Sequence, residues 1–201
     1  MTRPISLAVT MLAAFLACDA LAAKVAVVNP GFESTKPGVN GNPEGWATFQ
    51  HAGPVSFDFS LDSGVKKSGT QSLRIKRIGP EVYGSATQVV PVGDMAGKTV
   101  RLSGWIRTEA ERSADGKVAE PPKGREGRGP GAGLLLIAVR GSSILESELM
   151  KKRQIRGTTP WTHYSIELAI PARATGVEIG VMHQGTGTVW IDDLELEVVK
   201  Q

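Results

Sequence analysis

Three histidines, His51, His163 and His183, are the first residues to ask for acid–base or metal chemistry. None stands in an H-E-x-x-H spacing, and no two pair on one helical turn. Ser142-Ser143 lies in Arg-Gly-Ser-Ser-Ile, which is not a G-x-S-x-G nucleophile elbow. Gly127-Arg-Gly-Pro-Gly131 has no strand-to-helix unit around it and so is not a dinucleotide loop. Asp192-Asp193 resembles a catalytic carboxylate pair, but neighbours on a strand point to opposite faces and cannot flank one bond. The sequence therefore argues against an enzyme.

Binding chemistry is better represented. The chain has four tryptophans, Trp46, Trp105, Trp161 and Trp190. An aromatic face can pack on the apolar face of a pyranose while polar groups hold its hydroxyls. Trp161 and Trp190 each begin a strongly alternating strand and are expected in the core. Trp105 differs, because alternation sets it opposite Val100, Leu102 and Ile106, with Arg101, Ser103 and Arg107. A tryptophan among guanidinium donors suits a sugar, particularly an acidic one, since arginine can hold a carboxylate with two parallel hydrogen bonds. The alternative is that Trp105 packs under a long loop. Tyr83, Gln88 and His183 are further candidates for the same surface.

The elements that must position these residues are strands. Tyr164, Ile166, Leu168 and Ile170 alternate with polar or small residues. So do Val177, Ile179 and Val181, then Trp190, Leu194, Leu196 and Val198. This period of two puts one set on a core face. Gly185 and Gly187 allow a tight connection between the last two strands. Shorter strands are expected at 24–28, 46–50, 55–60, 71–78, 83–92 and 98–108. Ala132 to Arg140 is a near-continuous apolar strand, and Leu145 to Arg156 an edge strand or irregular stretch. The pattern specifies an all-β antiparallel sandwich. Residues 111–130 are rich in Gly, Pro and balanced charge, too polar to order alone, and are expected to be disordered.

The N-terminus reads as an export signal. Met1-Thr-Arg3 is basic, Ile5 to Cys18 is mostly apolar, and Ala20-Leu-Ala22 is an A-x-A cleavage pattern. Residues 1–22 are thus expected to be a signal peptide, and 23–201 a single exported module, periplasmic or extracellular. An uncleaved anchor and a buried helix are the alternatives. Phe15-Leu-Ala-Cys18 is also an imperfect lipidation box that would put a lipid anchor on Cys18. No cysteine follows Lys24, so the module has no disulfide although its compartment would permit one. A net charge of +3, dispersed along the chain, gives no case for nucleic acid. No later stretch is long and apolar enough to span a bilayer as a helix.

One ordered set of short motifs carries a resemblance. It comprises Asn29-Pro-Gly-Phe-Glu33, Gly45-Trp46, Ser68-Gly-Thr-Gln-Ser-Leu73, Gln88, Lys98 to Trp105 and Gly187-Thr-Val-Trp-Ile-Asp-Asp193. Together they resemble the galactose-binding-like jelly-roll modules, especially the carbohydrate-binding modules of secreted cellulases and xylanases. Met150 to Trp161 is similar to related domains found beside bacterial peptidases and esterases. The resemblance implies a jelly roll, a carbohydrate ligand and a structural calcium ion where the N-terminal loop meets the last strand. The matching positions are Glu33, Asp192 and Asp193. Alternation places Asp192 on the face of Trp190 and Leu194, pointing inward. A buried carboxylate needs a metal or a partner, so backbone hydrogen bonds or a Lys or Arg are the alternatives to calcium. The competing function is an envelope domain that meets another protein through Lys151 to Arg156 and the long loop.

Overall fold

The computed structural model describes residues 23–111 and 131–200. Residues 1–22, expected to be a signal peptide and including Cys18, and all but the first residue of the 111–130 stretch lie outside the described residues. Within them, eleven strands run β1 (Ala23–Val25), β2 (Ala47–Gln50), β3 (Phe57–Asp62), β4 (Ser72–Arg77), β5 (Gly84–Pro91), β6 (Thr99–Glu109), β7 (Ala132–Arg140), β8 (Ser143–Glu148), β9 (Thr159–Ala169), β10 (Gly176–His183) and β11 (Thr188–Lys200). They form two antiparallel sheets. One has the order β3-β4-β11-β6-β9 with β1 added against β11, and the other has β2-β5-β10-β7-β8. This is a jelly-roll sandwich.

Period-two patterning produces this arrangement directly. Leu73, Ile75, Val100, Leu102, Ile106, Ile166 and Ile191 from one sheet meet Ala86, Leu134, Leu136, Val177, Ile179 and Val181 from the other. Burying each such side chain contributes roughly 1.5–3 kcal/mol, so disulfides are not needed to hold a core of this size. Trp46 joins the core, stacked at a tilt on Phe32 with centroids 5.1 Å apart. Leu145 to Arg156 resolves into the edge strand β8 and a turn through Met150.

The tight connection at Gly185–Gly187 is present, and it carries the chain from one sheet to the other, with Gly187 at a φ of 89°. Two expectations need correction. First, Trp161 is half-buried and outside the core cluster, whereas Trp190 is buried at 6% exposed as expected, although on the outer side of its sheet. Val189 and Ile191 take the inward positions around it. Second, Leu194 does not share the face of Trp190 and Asp192. Asp192 pairs with Trp105 while Glu195 pairs with Ser103, so β11 carries one residue more than β6 between those pairs. This bulge reverses the alternation. Asp193 absorbs it at a φ of 49°, and Gly104 makes room, since a side chain there would meet Leu194 at 2.8 Å.

Candidate functional site

The bulge sets the first cluster. It turns Asp192 and Asp193 to the same locality instead of opposite faces, which corrects the strand-neighbour argument. Asp192 is fully buried. Its carboxylate accepts N–H groups from Lys67 at 2.9 Å, Ser68 at 3.2 Å and Asp193 at 2.9 Å. Burial holds its pKa above the ordinary carboxylate value, and the Asp193 charge adds to this, while the N–H donors oppose it. Asp193 accepts from the Ser68 hydroxyl at 3.0 Å. Glu33 accepts the Thr70 hydroxyl and the amides of Thr70 and Gln71, which hold its pKa below the usual value. Oxygens of Asp192 and Asp193 border a small space over Gly31, while only the side-chain stem of Glu33 reaches it and the Glu33 carboxylate is turned to Thr70 beside Gly69. A side chain at Gly31 would come within 3.3 Å of Asp193 Oδ1, 3.8 Å of Asp192 Oδ1 and 3.9 Å of Glu33 Cγ.

The oxygen donors near Gly31 are of the type that a hard cation takes. Among the described residues, however, no three His, Cys, Asp or Glu side chains close to metal-binding distance. The oxygens are turned to amide and hydroxyl donors. Of the alternatives open for Asp192, it is the backbone hydrogen bonds that the structure contains.

The second cluster is the expected ligand face around Trp105, on the outer side of the six-stranded sheet. Here the side chains engage one another. Arg101 is paired with Glu167 at 2.7 Å and Glu197 at 2.9 Å. The Arg107 guanidinium lies 5.6 Å from the Trp190 ring centre, and Trp190 donates its indole N–H to Asp62 at 2.8 Å. Trp105 is half-buried. Lys67 Nζ sits 4.2 Å from its ring centre, and His163 packs beside it at 5.2 Å. An ammonium group from the loop after β3 thus stands over the ring, where a sugar would have to stack.

Tyr83, Gln88 and His183 do not share that surface, and two of them are structural. Gln88, on β5, accepts the Val28 N–H at 2.8 Å and donates to the Val28 carbonyl at 2.9 Å, so it acts as a substitute strand partner for the N-terminal arm. His183 is 2% exposed, against Phe57. Its Nδ1 accepts the Gly185 N–H at 3.3 Å, which leaves the proton on Nε2, 3.2 Å from the Gly187 carbonyl oxygen that accepts it. Burial lowers its pKa to about 4, and the Arg77 charge adds to the shift.

Tyr83 leads to a third cluster that the sequence did not single out. On β10, Val177, Ile179 and Val181 face the core, so Glu178, Gly180 and Met182 face outward. The registers set Phe49, Ser85, Met182 and Gly133 in one outward row across β2, β5, β10 and β7. The next outward rows carry Thr87, Gly180 and Leu135, then Val89, Glu178 and Ile137. Leu135, Met182 and Ile137 are 2%, 2% and 8% exposed although they lie outside the core cluster. Apolar side chains buried to this degree on the outward side of a sheet are covered by other parts of the chain, as Met150 covers the outward position of Gly133.

Aromatic rings stand near Met182, at the edge of a recess. His51 stacks on Tyr83 with centroids 5.2 Å apart and an 18° tilt, and Phe49 meets Tyr83 edge-on at 6.2 Å. Phe49 is 57% exposed. A slot of about 260 Å³ runs from the His51–Tyr83 pair over Met182 to Leu149, Lys151 and Gln154. Gln154 donates to Gln184 Oε1 at 2.9 Å, and its own Oε1 has no partner. Burial pushes the Tyr83 phenol up, against a hydrogen bond from the Ser85 side, and the Glu178 charge pushes it further. Thus an apolar floor at Met182, an aromatic edge and amide groups occur together in this slot.

Comparison with known proteins agrees with the architecture. No protein-family model matches the chain. The uncharacterized HTH-type transcriptional regulator YbfP of Bacillus subtilis (strain 168) is 25% identical over 164 residues, which is 79% of this chain and 49% of that protein. The chain thus spans about half the length of the curated relative it matches. Among solved structures, the CBM22-1 xylan-binding domain of Paenibacillus barcinonensis Xyn10C superposes with a TM-score of 0.52 at 12% identity, covering 85% of this chain and 92% of that one. The C-terminal family 22 carbohydrate-binding module of Clostridium thermocellum Xyn10B gives 0.51 at 18% identity, over 85% and 91%. A CBM4 structure gives 0.52 at 15% identity, over 86% and 99%. At such identities the likeness speaks for the fold, and that fold is the all-β jelly roll of the carbohydrate-binding modules.

Proposed function

We propose that the protein is a non-catalytic carbohydrate-binding module and that it binds along the outer face of the β2-β5-β10-β7-β8 sheet. The observation that carries this reading is the slot lined by His51, Tyr83, Met182, Lys151, Gln154 and Gln184, with Phe49 exposed beside Tyr83. Sugar rings have apolar faces that pack on aromatic side chains, while their hydroxyls need acceptors and donors such as Gln154 and Gln184. The likeness in fold to xylan-binding and other carbohydrate-binding modules supports the ligand class. The N-terminal residues, read as a signal, make the module an exported one in this proposal.

Binding of the full chain to a panel of polysaccharides tests this. Phe49→Ala and Tyr83→Ala should each weaken binding by roughly tenfold or more, the effect of removing an aromatic anchor. Trp105→Ala should leave affinity nearly unchanged. The opposite pattern would move the ligand to the six-stranded sheet.

A calcium ion over Gly31 belongs to the same proposal. Glu33, Asp192 and Asp193 would hold it, and it would supply positive charge to a buried carboxylate whose pKa is raised. Its role would be to tie the N-terminal loop to β11, apart from the recess. A ligand that binds only the folded state stabilises it. Chelation should therefore lower the melting temperature, and added calcium should restore it. An unchanged melting temperature, with no calcium found by elemental analysis, would leave the amide hydrogen bonds as the whole account of these carboxylates.

A further inference from the structure

We infer that the slot between the His51–Tyr83 pair and Lys151 seats a single uronate ring, with Lys151 taking its carboxylate, so that the module favours acidic polysaccharide. This rests on the carbohydrate-binding reading above and deepens it by naming the ligand's charge.

The charges around the slot are one-sided. Lys151 is the one Lys or Arg that lines it, and no Asp or Glu lines it. Lys151 is exposed, and among the described residues its ammonium forms no ion pair. Lys152, Arg153 and Arg156 stand in the same stretch, so four of the six residues 151–156 are cations. None of those three forms an ion pair among the described residues either. The nearest acid along the chain, Glu148, turns its carboxylate to the Met150 amide at 2.8 Å. Glu178, on β10, acts on the Tyr83 phenol from outside the slot.

The shape suits one ring. The slot measures about 260 Å³. Sites for drug-sized ligands run to roughly 300–1,000 Å³, so this one takes a single sugar and not a length of chain. The stacked His51 and Tyr83 stand at one end, Lys151 at the other, and Met182 between them. A uronate has the matching parts. Its ring offers an apolar face to Tyr83 and Met182. Its carboxylate stands on the ring's edge, where an ammonium can hold it by charge-assisted hydrogen bonds. Its hydroxyls meet the side-chain amides of Gln154 and Gln184, which are linked to each other at 2.9 Å. A neutral sugar leaves Lys151 to water and gains nothing from its charge. The rest of the polymer can run out past Phe49, which is exposed beside Tyr83. Arg101 and Arg107, the cations that pointed to an acidic sugar in the sequence, are engaged on the other sheet.

Glucuronoxylan and polygalacturonate, each beside its carboxyl-reduced form, provide the test, because reduction removes the charge and keeps the linkages. The full chain should bind at least one acidic polymer about fivefold more tightly than its reduced form, the order expected of a partly exposed ion pair. Added salt should narrow that gap. Lys151→Met should abolish the difference, Lys151→Arg should retain it, and Lys152→Met should retain most of it. Lys151 and Lys152 are exposed, so the variants should fold as wild type does, which their melting curves check. Equal affinity for the acidic and reduced polymers, or an unchanged ratio in Lys151→Met, would overturn the uronate seat and leave carbohydrate binding intact. An equal loss in Lys152→Met would overturn it too, in favour of diffuse attraction to the basic stretch. If the folded protein binds no polysaccharide of any kind, both readings fall together.

Discussion

Acidification from pH 7 to pH 4 should cost the protein about 3 kcal/mol of stability through His183 alone, because burial lowers that imidazole's pKa to about 4. The direction follows from linkage. The folded-state pKa lies below the unfolded value, so the unfolded chain binds the proton more tightly. The contribution is fully present above the unfolded pKa of about 6.5, is lost as pH falls from there to about 4, and does not grow below it. The geometry gives the reason. A proton on Nδ1 would point at the Gly185 N–H, which that nitrogen now accepts at 3.3 Å. The ring also lies against Phe57 with almost no access to water. Denaturant melts at several pH values check this. His183→Gln should be less stable at pH 7 but should lose less than wild type between pH 7 and pH 4. Parallel losses in the two proteins would mean that His183 does not titrate in this window.

Asp192→Ala should cost about 3 kcal/mol, the loss of a buried acceptor shared by three donors. Three N–H groups, those of Lys67, Ser68 and Asp193, now share this one acceptor. Each buried donor left without a partner costs roughly 1–3 kcal/mol, reduced where the loosened loop can admit water. For a domain of this size the melting temperature should fall by roughly 6–12 °C. The loop of residues 63–71 should also lose its hold over β11, releasing Lys67 from Trp105. Asp193→Ala, which removes only the hydroxyl contact from Ser68, should cost less than half as much. Equal effects from the two variants would contradict the assignment of Asp192 as the shared acceptor.

Much of the fold was legible because the strands that build it bury one face. Val100, Leu102 and Ile106 alternate cleanly, as do Val177, Ile179 and Val181, and each set occupies the core. The bulge was not legible. Trp190, Asp192 and Leu194 stand two apart, and only the pairing with Trp105 and Ser103 shows that the phase changes between Asp192 and Leu194. The available signal was Gly104 on the partner strand, whose missing side chain admits Leu194.

The site was less legible than the fold. Trp105 looked open because sequence spacing gives a strand's own neighbours and not the remote loop that covers them. Lys67 comes from 38 positions away in the chain, and nothing at Trp105 announces it. Leu135 and Ile137 were hidden for a different reason. They sit within the near-continuous apolar run of β7, where inward and outward residues are equally apolar and alternation carries no information. Of the expected ligand residues only Tyr83 stands at the recess. Its partners Phe49 and His51 come from a short strand and the loop after it, and only the pairing of β2 with β5 brings them to Tyr83.

Mapping the amide shifts of isotope-labelled protein on titration with a neutral oligosaccharide that it binds tests the central claim most directly. The expected result is a contiguous set of shifts on β2, β5, β10 and β7, centred on Phe49, Tyr83, Gly180 and Met182, with the Gln154 and Gln184 side-chain amides moving and β6 and β9 unmoved. Shifts centred on Trp105 and His163, with the five-stranded sheet silent, would contradict it.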